Sequence, residues 1–465
     1  MPKLEINYKD LPPCDVLVAG GGSAGVAAAV ASARSGAKTI LLEKSTFLGG
    51  MATGALVTPM MKNALDACKG GVTPPLTRGL FLEICDRLVK AGGGATFKDG
   101  NPGWFNPEIY KWFLDEICLE ANVKLIFDSQ IIAADVETCH GMSLLQKIFF
   151  TNKGGAFSIA AKEFIDCTGD GDLIFLSGVS YESGKNNMRQ AMSLRFMMSG
   201  VNLEILAKWL EENDKAGDSP VYFLDNGDIL LTSAYTHEKD WTLKPFFDNA
   251  LKNNDLKKED GAYFQIFSVP GSPGLIAFNC PRLTLSDKSL DPLNFEDTSF
   301  LLTEGRQMIK RTSNFCKKYL PGFKKSYVCQ IAPQIGVRES RRLIGQYVLT
   351  SEDILSARKF DDAVADSNWP IDIHPSKLND KGQLRHPPKN DYYQIPLRSL
   401  LPKENELRNL IVAGRCLSAT FEAQGSARIQ ANCWAMGEAA GLLAAKRIKM
   451  PASVGLSKDD KPKRR

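Results

Sequence analysis

The sequence lacks several features that would point to other classes of protein. Its 11 cysteines include no C-x-x-C pair, which argues against a zinc site or a disulfide framework and fits a reducing cytoplasm. Its net charge is only +4 over 465 residues, so the composition calls for neither nucleic acid nor a membrane surface as a partner. We therefore predict a cytoplasmic protein of about two domains without a bound metal.

Long uninterrupted apolar runs are also absent. The stretch DVLVAGGGSAGVAAAVASA, from Asp15 to Ala33, has no charge after its first residue, but four glycines interrupt it. A membrane-spanning helix needs about 20 apolar residues. The first ten residues mix acidic and basic side chains, which is not the pattern of a signal peptide. We expect neither a membrane span nor a secretion signal.

The same stretch has the pattern of a nucleotide-binding turn. A short apolar strand, CDVLVAG, leads into the glycines, a helix follows them, and a second strand ends at Glu43. Gly20, Gly22 and Gly25 satisfy G-x-G-x-x-G, in which the glycines allow a tight turn, a close approach to pyrophosphate and close helix packing. Glu43 follows at the distance at which a carboxylate binds ribose hydroxyls. The unit predicts a bound dinucleotide.

Three further segments favour FAD over NAD as that dinucleotide. The pair Gly49–Gly50 follows Glu43, the strand FIDCTG ends in Thr168–Asp170, and the strand NLIVAG ends in Gly414 and is followed by Arg415. The predicted cofactor-binding residues are Gly20, Gly22, Ser23, Ala24, Gly25, Glu43, Lys44, Gly49, Gly50, Met51, Ala52, Thr53, Ile131, Thr168, Gly169, Asp170, Gly414, Arg415, Gly425 and Ser426. We place Gly425 and Ser426 at the start of a C-terminal helix, whose positive end would face the reduced flavin.

These motifs carry a resemblance to a known family. In GGGSAG, GGMAT and AGRCLSA, and in the segments 332–355, 369–374 and 392–402, the chain resembles bacterial FAD-dependent oxidoreductases related to the succinate dehydrogenase and fumarate reductase flavoproteins. The resemblance implies an α/β fold: a glutathione-reductase-like FAD-binding Rossmann domain, with a parallel sheet and a β-meander, and an inserted α+β substrate or cap domain.

The resemblance also implies an order of domains. We expect the FAD-binding domain in residues 1–185 and 396–450, the substrate domain in residues 186–395, and a flexible tail in residues 451–465. Relatives of succinate dehydrogenase attach FAD covalently to a His, and none occurs from Gly49 to Thr53. We therefore expect non-covalent FAD.

One predicted substrate-binding residue comes from the resemblance. In the fumarate reductase relatives, an Arg in an H-G-x-N-R segment grips a substrate carboxylate beside the flavin. Arg428 matches that Arg, although Gln424 stands at the position of the His and Ala427 at that of the Asn. Arg428 is therefore expected to bind flavin or an anion, whereas a His partner is not carried over.

A second group of arginines lies in GVRESRRLIG. If this segment is helical, Arg338, Arg341 and Arg342 share one face. Guanidinium groups there would suit an anionic substrate or the FAD phosphates, because each can bind an oxyanion with two hydrogen bonds. The alternative is an ion-pair network that includes Glu339.

His374, at the end of WPIDIH, is the predicted general acid or base, because the pKa of a histidine ordinarily lies near neutrality. The alternative is a structural histidine. Glu422 and Gln424, beside the predicted flavin-facing loop, are second candidates for proton transfer.

The sequence predicts an FAD-dependent oxidoreductase of the dehydrogenase or reductase type that transfers a hydride between a small polar or anionic substrate and flavin N5. No second G-x-G-x-x-G follows a strand, so no separate nicotinamide domain is expected. Two alternatives stay open. One is a non-catalytic or partner-dependent flavin subunit with an electron-transfer partner. The other is a flavin monooxygenase, although AGRCLSA differs from the GDAAH-like motif expected there. The oligomeric state is not predicted.

Overall fold

A computed structural model gives the structure of the chain and describes residues 5–65, 75–96, 102–139 and 142–450. The predicted tail, 451–465, lies outside these residues. The strands are, in chain order, β1 (Tyr8–Asp10), β2 (Cys14–Ala19), β3 (Thr39–Leu42), β4 (Gly94–Thr96), β5 (Pro102–Phe105), β6 (Lys124–Ile126), β7 (Gln130–Cys139), β8 (Met142–Asn152), β9 (Gly155–Asp166), β10 (Tyr181–Ser183), β11 (Met192–Ser193), β12 (Phe196–Ser199), β13 (Val221–Phe223), β14 (Ile229–Tyr235), β15 (Phe264–Ser268), β16 (Ile276–Phe278), β17 (Arg282–Leu283), β18 (Tyr327–Ile331), β19 (Arg341–Leu343), β20 (Ala363–Ser367), β21 (Ile371–Ile373), β22 (Gln383–Arg385), β23 (Tyr393–Pro396) and β24 (Leu410–Val412).

The helices alternate with these strands and are longest in the second half of the chain. They are α1 (Ser23–Arg34), α2 (Leu80–Lys90), α3 (Pro107–Glu120), α4 (Asp172–Leu176), α5 (Leu203–Asn213), α6 (Lys244–Lys252), α7 (Phe295–Tyr319), α8 (Ser351–Leu355), α9 (Phe421–Ala427) and α10 (Gln430–Lys449). Short 3-10 turns occur at Lys258–Gly261 and Leu397–Leu400. Within the described ranges, no helix is long and apolar enough to cross a membrane.

The first sheet is mixed and contains the nucleotide-binding unit. Its order is β6-β3-β2-β9-β8-β7, and β1 and β24 also pair with β9. Strands β2, β3, β6, β9 and β24 run parallel to one another. Parallel strands are covered on both faces, which explains why β2 and β3 read as nearly continuous apolar runs. The predicted strand–turn–helix–strand unit is confirmed, and the fold is mixed α/β with a parallel-containing sheet.

Strand β9 joins the two parts of this sheet. Its first half pairs antiparallel with β8, from Gly155 to Ala160. Its second half pairs parallel with β2, from Ala161 to Asp166. The predicted meander that returns to the parallel sheet is therefore confirmed.

The C-terminal helix packs directly on the first helix. A Cβ atom on Gly437 would lie 2.0 Å from the carbonyl oxygen of Ala24, and one on Gly441 would lie 2.2 Å from that of Ala28. Because neither glycine has a side chain, α10 lies directly against α1. The contact and the pairing of β24 with β9 bring residues 410–449 to the nucleotide-binding unit.

A second sheet has its own core. Its order is β13-β14-β15-β16-β12-β18, and α7 packs beside it through buried aromatic rings. Tyr235 and Phe247 stack at 3.9 Å between ring centroids, and Phe247 contacts both Phe264 and Phe315. This sheet falls within the range expected for the substrate domain. The domain boundaries themselves stay predictions.

Candidate functional site

Three distant segments of the chain meet at one edge of the first sheet. The turn after β2 touches the loop after β9, since a Cβ atom on Gly20 would lie 2.6 Å from the carbonyl oxygen of Cys167. Gly414, which follows β24, lies against Ala24 in the first turn of α1. We call this region, formed by the loops Gly20–Gly25, Thr168–Asp170 and Gly414–Arg415, the cofactor edge.

The segment after Glu43 lies along the same edge. Gly49 forms a parallel bridge with Gly22, and the Gly49 amide donates to the Gly21 carbonyl at 2.8 Å. The buried Glu43 carboxylate accepts from the Gly21 amide at 2.5 Å and from the Ser45 amide at 2.7 Å. The chain after Glu43 therefore returns to the glycine turn.

The loop after β9 carries an ion-pair cluster. Asp170 accepts from Arg415 at 2.8 Å and from the Ser340 hydroxyl at 2.7 Å, and its other oxygen lies 3.9 Å from Lys44 Nζ. Burial opposes ionisation of Asp170, but Arg415 and Lys44 hold its pKa below the ordinary value. A Cβ atom on Gly169, whose φ is +76°, would lie 2.9 Å from the Arg415 guanidinium. Arg415 thus lies flat against this loop.

Several predicted cofactor residues have other hydrogen-bond partners. The Thr168 hydroxyl donates to Asp166 at 2.7 Å, and the Thr53 hydroxyl donates to the Leu48 carbonyl at 2.6 Å. The side chain of Ile131 lies in the core of the first sheet. These residues could reach a cofactor through their backbones. Ser23 and Ala24 lie in the first turn of α1, and Met51 and Ala52 lie in the turn after Gly50.

Gly425 and Ser426 do not start a helix. They lie inside α9, which ends at Ala427, and the next helix begins at Gln430. The Ser426 hydroxyl donates to the Trp369 carbonyl at 2.6 Å. A Cβ atom on Gly425 would lie 3.0 Å from the carbonyl oxygen of Asp372. Their observed role is to pack α9 closely on β21.

The cofactor edge fits FAD. A Cβ atom on Gly22 would meet only Gly50 Cα, at 3.9 Å, so this side of the turn is open to a pyrophosphate. The Arg415 Nη1 atom is buried and has no hydrogen-bond partner among the described residues. Buried polar atoms are ordinarily paired, so Arg415 can donate a hydrogen bond from this atom to a ligand. Glu43, which the sequence predicts to bind the ribose, lies at the same edge and accepts from the Gly21 amide.

Beside this edge, three arginines lie around Ser193. Ser193 pairs with Arg282 in the short sheet of β11 and β17, which places both side chains on one face. Arg195 follows two residues after Ser193, and Arg282 adds to the effect of burial that lowers its pKa. Arg338 donates to the Ser193 hydroxyl at 3.0 Å. All three arginines are at least nine-tenths buried.

Arg428 completes this set, which we call the arginine cluster (Arg195, Arg282, Arg338 and Arg428). Its Nη2 atom lies 3.9 Å from the Asp372 carboxylate, and its Nε atom is buried with no hydrogen-bond partner in the described chain. On the other side of Asp372, the His374 Nε2 atom lies 3.3 Å from the same carboxylate oxygen. Asp372 therefore stands between Arg428 and His374.

The pKa shifts show that these groups act on one another. Burial and then Arg282, Arg428 and Arg195 hold the pKa of Arg338 well below its usual value. Burial lowers the pKa of Arg195 to about 10. Burial opposes ionisation of Asp372, but His374, Arg428 and Arg338 together lower its pKa. Arginine stays protonated in proteins, so the cluster carries a positive charge that Asp372 offsets only in part.

Aromatic and backbone groups hold two members of the cluster. The Arg282 guanidinium lies 4.0 Å from the centroid of the Tyr263 ring, a favourable cation–π contact. Arg195 donates to the carbonyl of Leu56 at 3.2 Å. Leu56 has φ of +53°, a conformation that costs a non-glycine residue about 1 kcal/mol. The strained segment thus aims a carbonyl at Arg195.

The prediction for GVRESRRLIG is wrong in part. The segment is extended and forms β19, which pairs with β10, so its arginines do not share a helical face. The Arg342 side chain is 1% exposed, pairs with Glu339 and donates to the Ala419 carbonyl at 3.1 Å. Arg341 lies over the Phe175 ring at 4.4 Å. Only Arg338 belongs to the arginine cluster, whereas Arg342 forms the ion pair that was the alternative.

Gln424 links the cluster to the cofactor edge. Its Nε2 atom donates to the carbonyl of Arg338 at 3.0 Å and to that of Arg415 at 3.2 Å. Glu422, the other second candidate for proton transfer, pairs instead with Lys185. Arg415 also lowers the pKa of Arg428, although burial is the larger cause. The two regions are thus neighbours.

Sequence reasoning missed Arg195, Arg282, Asp372 and Tyr263. Asp372 lies in the motif that supplied His374, so its spacing of two residues along a strand could have found it. Arg195 and Arg282 lie outside any motif. They come together only because β11 and β17 pair across about ninety residues.

Comparisons with known proteins support the cofactor prediction. The chain matches the family model described as FAD dependent oxidoreductase over residues 15–455. No curated protein matches the chain at a significant level.

Similar solved structures include a geranylgeranyl bacteriochlorophyll reductase-like protein from Thermoplasma acidophilum, with TM-score 0.42 and 12% identity over 95% of this chain and 80% of that chain. The flavin-dependent brominase Bmp2 has TM-score 0.44 and 10% identity over 94% and 80% of the two chains. The p-nitrophenol 4-monooxygenase PnpA from Pseudomonas putida has TM-score 0.39 and 11% identity over 95% and 81% of the two chains.

The family model covers most of the chain. On that match, the chain belongs to the family of FAD-dependent oxidoreductases, with FAD as its cofactor.

Proposed function

We propose that the protein is an oxidoreductase in which non-covalently held FAD exchanges electrons with a small anionic substrate. The observation that carries this proposal is the buried arginine cluster, which Gln424 ties to the cofactor edge. Bound FAD would supply hydride acceptance or donation at its N5 atom.

The side chains of the site have distinct proposed roles. The glycine turn and Glu43 would hold the pyrophosphate and ribose of FAD, and Arg415 would donate to the cofactor through its unpartnered nitrogen. Arg428 and Arg338 would orient the substrate anion, as the sequence predicts, together with Arg195 and Arg282. His374, with Asp372 beside it, would hold or accept a proton. Arg342 is not included, because its guanidinium is engaged with Glu339.

We further propose a glutathione-reductase-like arrangement. In it, the first sheet, from residues 1–185 and 396–450, is the FAD-binding domain, and residues 186–395 form the substrate domain. The pairing of β24 with β9 supports this division, as does the separate core of the second sheet.

Anaerobic stopped-flow reduction of the FAD-loaded protein tests the function. Small carboxylates and hydroxy acids should bleach the flavin absorbance at about 450 nm, and amines of the same size should not. Bleaching by uncharged or cationic compounds alone would contradict the proposal. Bleaching only by a partner protein would favour an electron-transfer subunit. Oxygen-dependent hydroxylation of a substrate would favour a monooxygenase.

A further inference from the structure

The arginine cluster holds more positive charge than its surroundings offset. Four guanidinium groups act on one another there, and Asp372 is the carboxylate that faces them. A buried charge is costly unless it is paired. Asp372 offsets one of the four positive charges, so three remain. A ligand with one negative charge would leave two of these uncompensated, whereas a ligand with two negative charges would leave one.

The cluster also has unused hydrogen-bond donors. The Nε atoms of Arg282 and Arg428 and the Nε2 atom of Gln190 are buried and have no partner among the described residues. The Gln190 side chain is 1% exposed, and its oxygen accepts from the His374 amide at 3.5 Å. Donors left unpaired in one place mark a site for a ligand that accepts several hydrogen bonds.

His374 lies among these charges. Arg338 before β19 and Arg282 on β17 are the cationic groups that act on its pKa, and Arg428 after α9 lies on the Asp372 carboxylate beside it. Asp372, on β21 just before it, is the anionic group that acts on it. Tyr263 faces Arg282, and Arg385 lies exposed on the paired strand β22. Burial and then Arg338 and Arg282 hold the pKa of His374 well below its usual value, against the opposing effect of Asp372. These effects favour the neutral form of His374 in the free protein, in which one ring nitrogen lies toward Asp372.

We infer that the arginine cluster binds a small ligand with two negative charges and that His374 takes up a proton as this ligand binds. The inference rests on the proposed function for the same site and deepens it by naming the charge of the substrate. The negative ligand offsets the repulsion that Arg338 and Arg282 exert on a protonated imidazole. The proton comes from solvent and adds to the ring nitrogen that does not face Asp372, and no electrons are transferred.

This coupling has a definite sign. The pKa of His374 is lowered in the free protein, and a bound dianion raises it. At pH values between the pKa of His374 in the free protein and its pKa in the complex, the complex carries a proton that the free protein lacks. Affinity therefore rises as pH falls through this window, by up to about tenfold per pH unit. Above the bound-state pKa the affinity becomes independent of pH.

Isothermal titration of the FAD-loaded protein with non-reducing probes tests the inference. Sulfate and malonate supply two charges as a tetrahedral oxyanion and as a dicarboxylate, and formate supplies one. Titration in imidazole and in Bis-Tris, whose ionisation heats differ, gives the number of protons taken up. We expect both dianions to bind at least about tenfold more tightly than formate, with uptake approaching about one proton as pH falls into the window. The tighter of the two identifies the anionic group that the site prefers.

The His374→Gln variant should bind the dianions with no proton uptake and with no pH dependence. His237→Gln is the matched control, because His237 bonds to Tyr235 and to the Lys258 carbonyl, outside the cluster; it should keep the uptake of the natural protein. If His374→Gln does not fold, the pH dependence of dianion affinity in the natural protein decides alone.

Three results would overturn the inference: dianions that bind no better than formate, affinity that is independent of pH throughout, or unchanged uptake in His374→Gln. None of them bears on whether anions reduce the flavin, because the probes do not react. Failure of the proposed function would appear separately, as a flavin that no anionic compound bleaches.

Discussion

The cofactor edge and the arginine cluster are neighbours, but backbone atoms form most of the first and side chains form the second. At the cofactor edge, the recognition groups are mainly backbone atoms, and side chains at Gly20 and Gly25 would collide with neighbouring backbone. In the arginine cluster the recognition groups are long charged side chains that come from four separate segments. The first kind of site can be recognised from residues that are close together in the sequence. The second kind forms only when distant segments pair in the folded chain.

The largest effect should come from Arg342, which separates a structural arginine from the cluster. The substitution Arg342→Met leaves Glu339 buried without its partner, and breaking such a pair costs about 3–5 kcal/mol. Urea unfolding should show this loss, while malonate affinity in the folded fraction stays unchanged. The double variant Glu339→Gln/Arg342→Met should recover most of the stability. Unchanged stability with lost malonate binding would place Arg342 in the site after all.

The next effect sharpens the account of the glycine turn. In Gly25→Ala, the added Cβ would lie 1.7 Å from the Gly20 carbonyl oxygen, so the free energy of unfolding should fall by about 3 kcal/mol. Gly22→Ala is the matched variant, because its backbone φ is −72° and its Cβ has room. It should fold normally but carry little FAD, as measured by flavin absorbance per chain. Full FAD content in Gly22→Ala would contradict the assigned path of the pyrophosphate.

A smaller effect, that of Arg282→Gln, separates anion binding by the arginine cluster from FAD binding at the cofactor edge. Arg282→Gln removes a guanidinium from the cluster but touches nothing at the cofactor edge. Hydrogen bonds to charged groups contribute about 1.5–3 kcal/mol, so malonate should bind roughly 10- to 150-fold more weakly with FAD content unchanged. Arg398→Gln, on an exposed ion pair with Asp362, is the control and should alter neither. Loss of FAD in Arg282→Gln would show that the cluster belongs to the cofactor site.

The smallest effect concerns Glu43. Glu43→Gln keeps the shape of the side chain but replaces one of its two acceptor oxygens, both of which face backbone amides, with a donor. FAD should therefore bind about tenfold more weakly, measured by flavin fluorescence on dilution. Glu83→Gln, whose carboxylate pairs with Arg34 and Arg87, should bind FAD as the natural protein does. Equal FAD affinity in both variants would remove Glu43 from the ribose site.

The sequence predicted the first sheet because its signals are local. Glycine spacing, a short apolar strand and an acid at its end all lie within about thirty residues, and the meander follows from alternation and turns. Three strand ends were also recognisable separately, and the parallel order of β2, β9 and β24 brings them together.

The arginine cluster could be predicted only in part. Arg338, Arg428 and His374 stand in recognisable motifs, but the helical spacing assumed for Arg338 and Arg342 failed because the segment is extended. In an extended chain these residues are set by strand pairing and loop direction rather than by a period of 3.6. Arg195 and Arg282 have no local signal, since the two-residue strands that unite them are defined only in the folded chain.

Anomalous diffraction from crystals of the FAD-loaded protein soaked in selenate tests the central claim most directly, since selenate is a dianion with a strong anomalous signal. The account predicts one dominant selenium peak within hydrogen-bonding distance of Arg282, Arg338 and Arg428, with FAD lying along Gly20–Gly25 and Arg415. A peak elsewhere with the cluster empty, or an FAD phosphate bound by these arginines, would contradict the account.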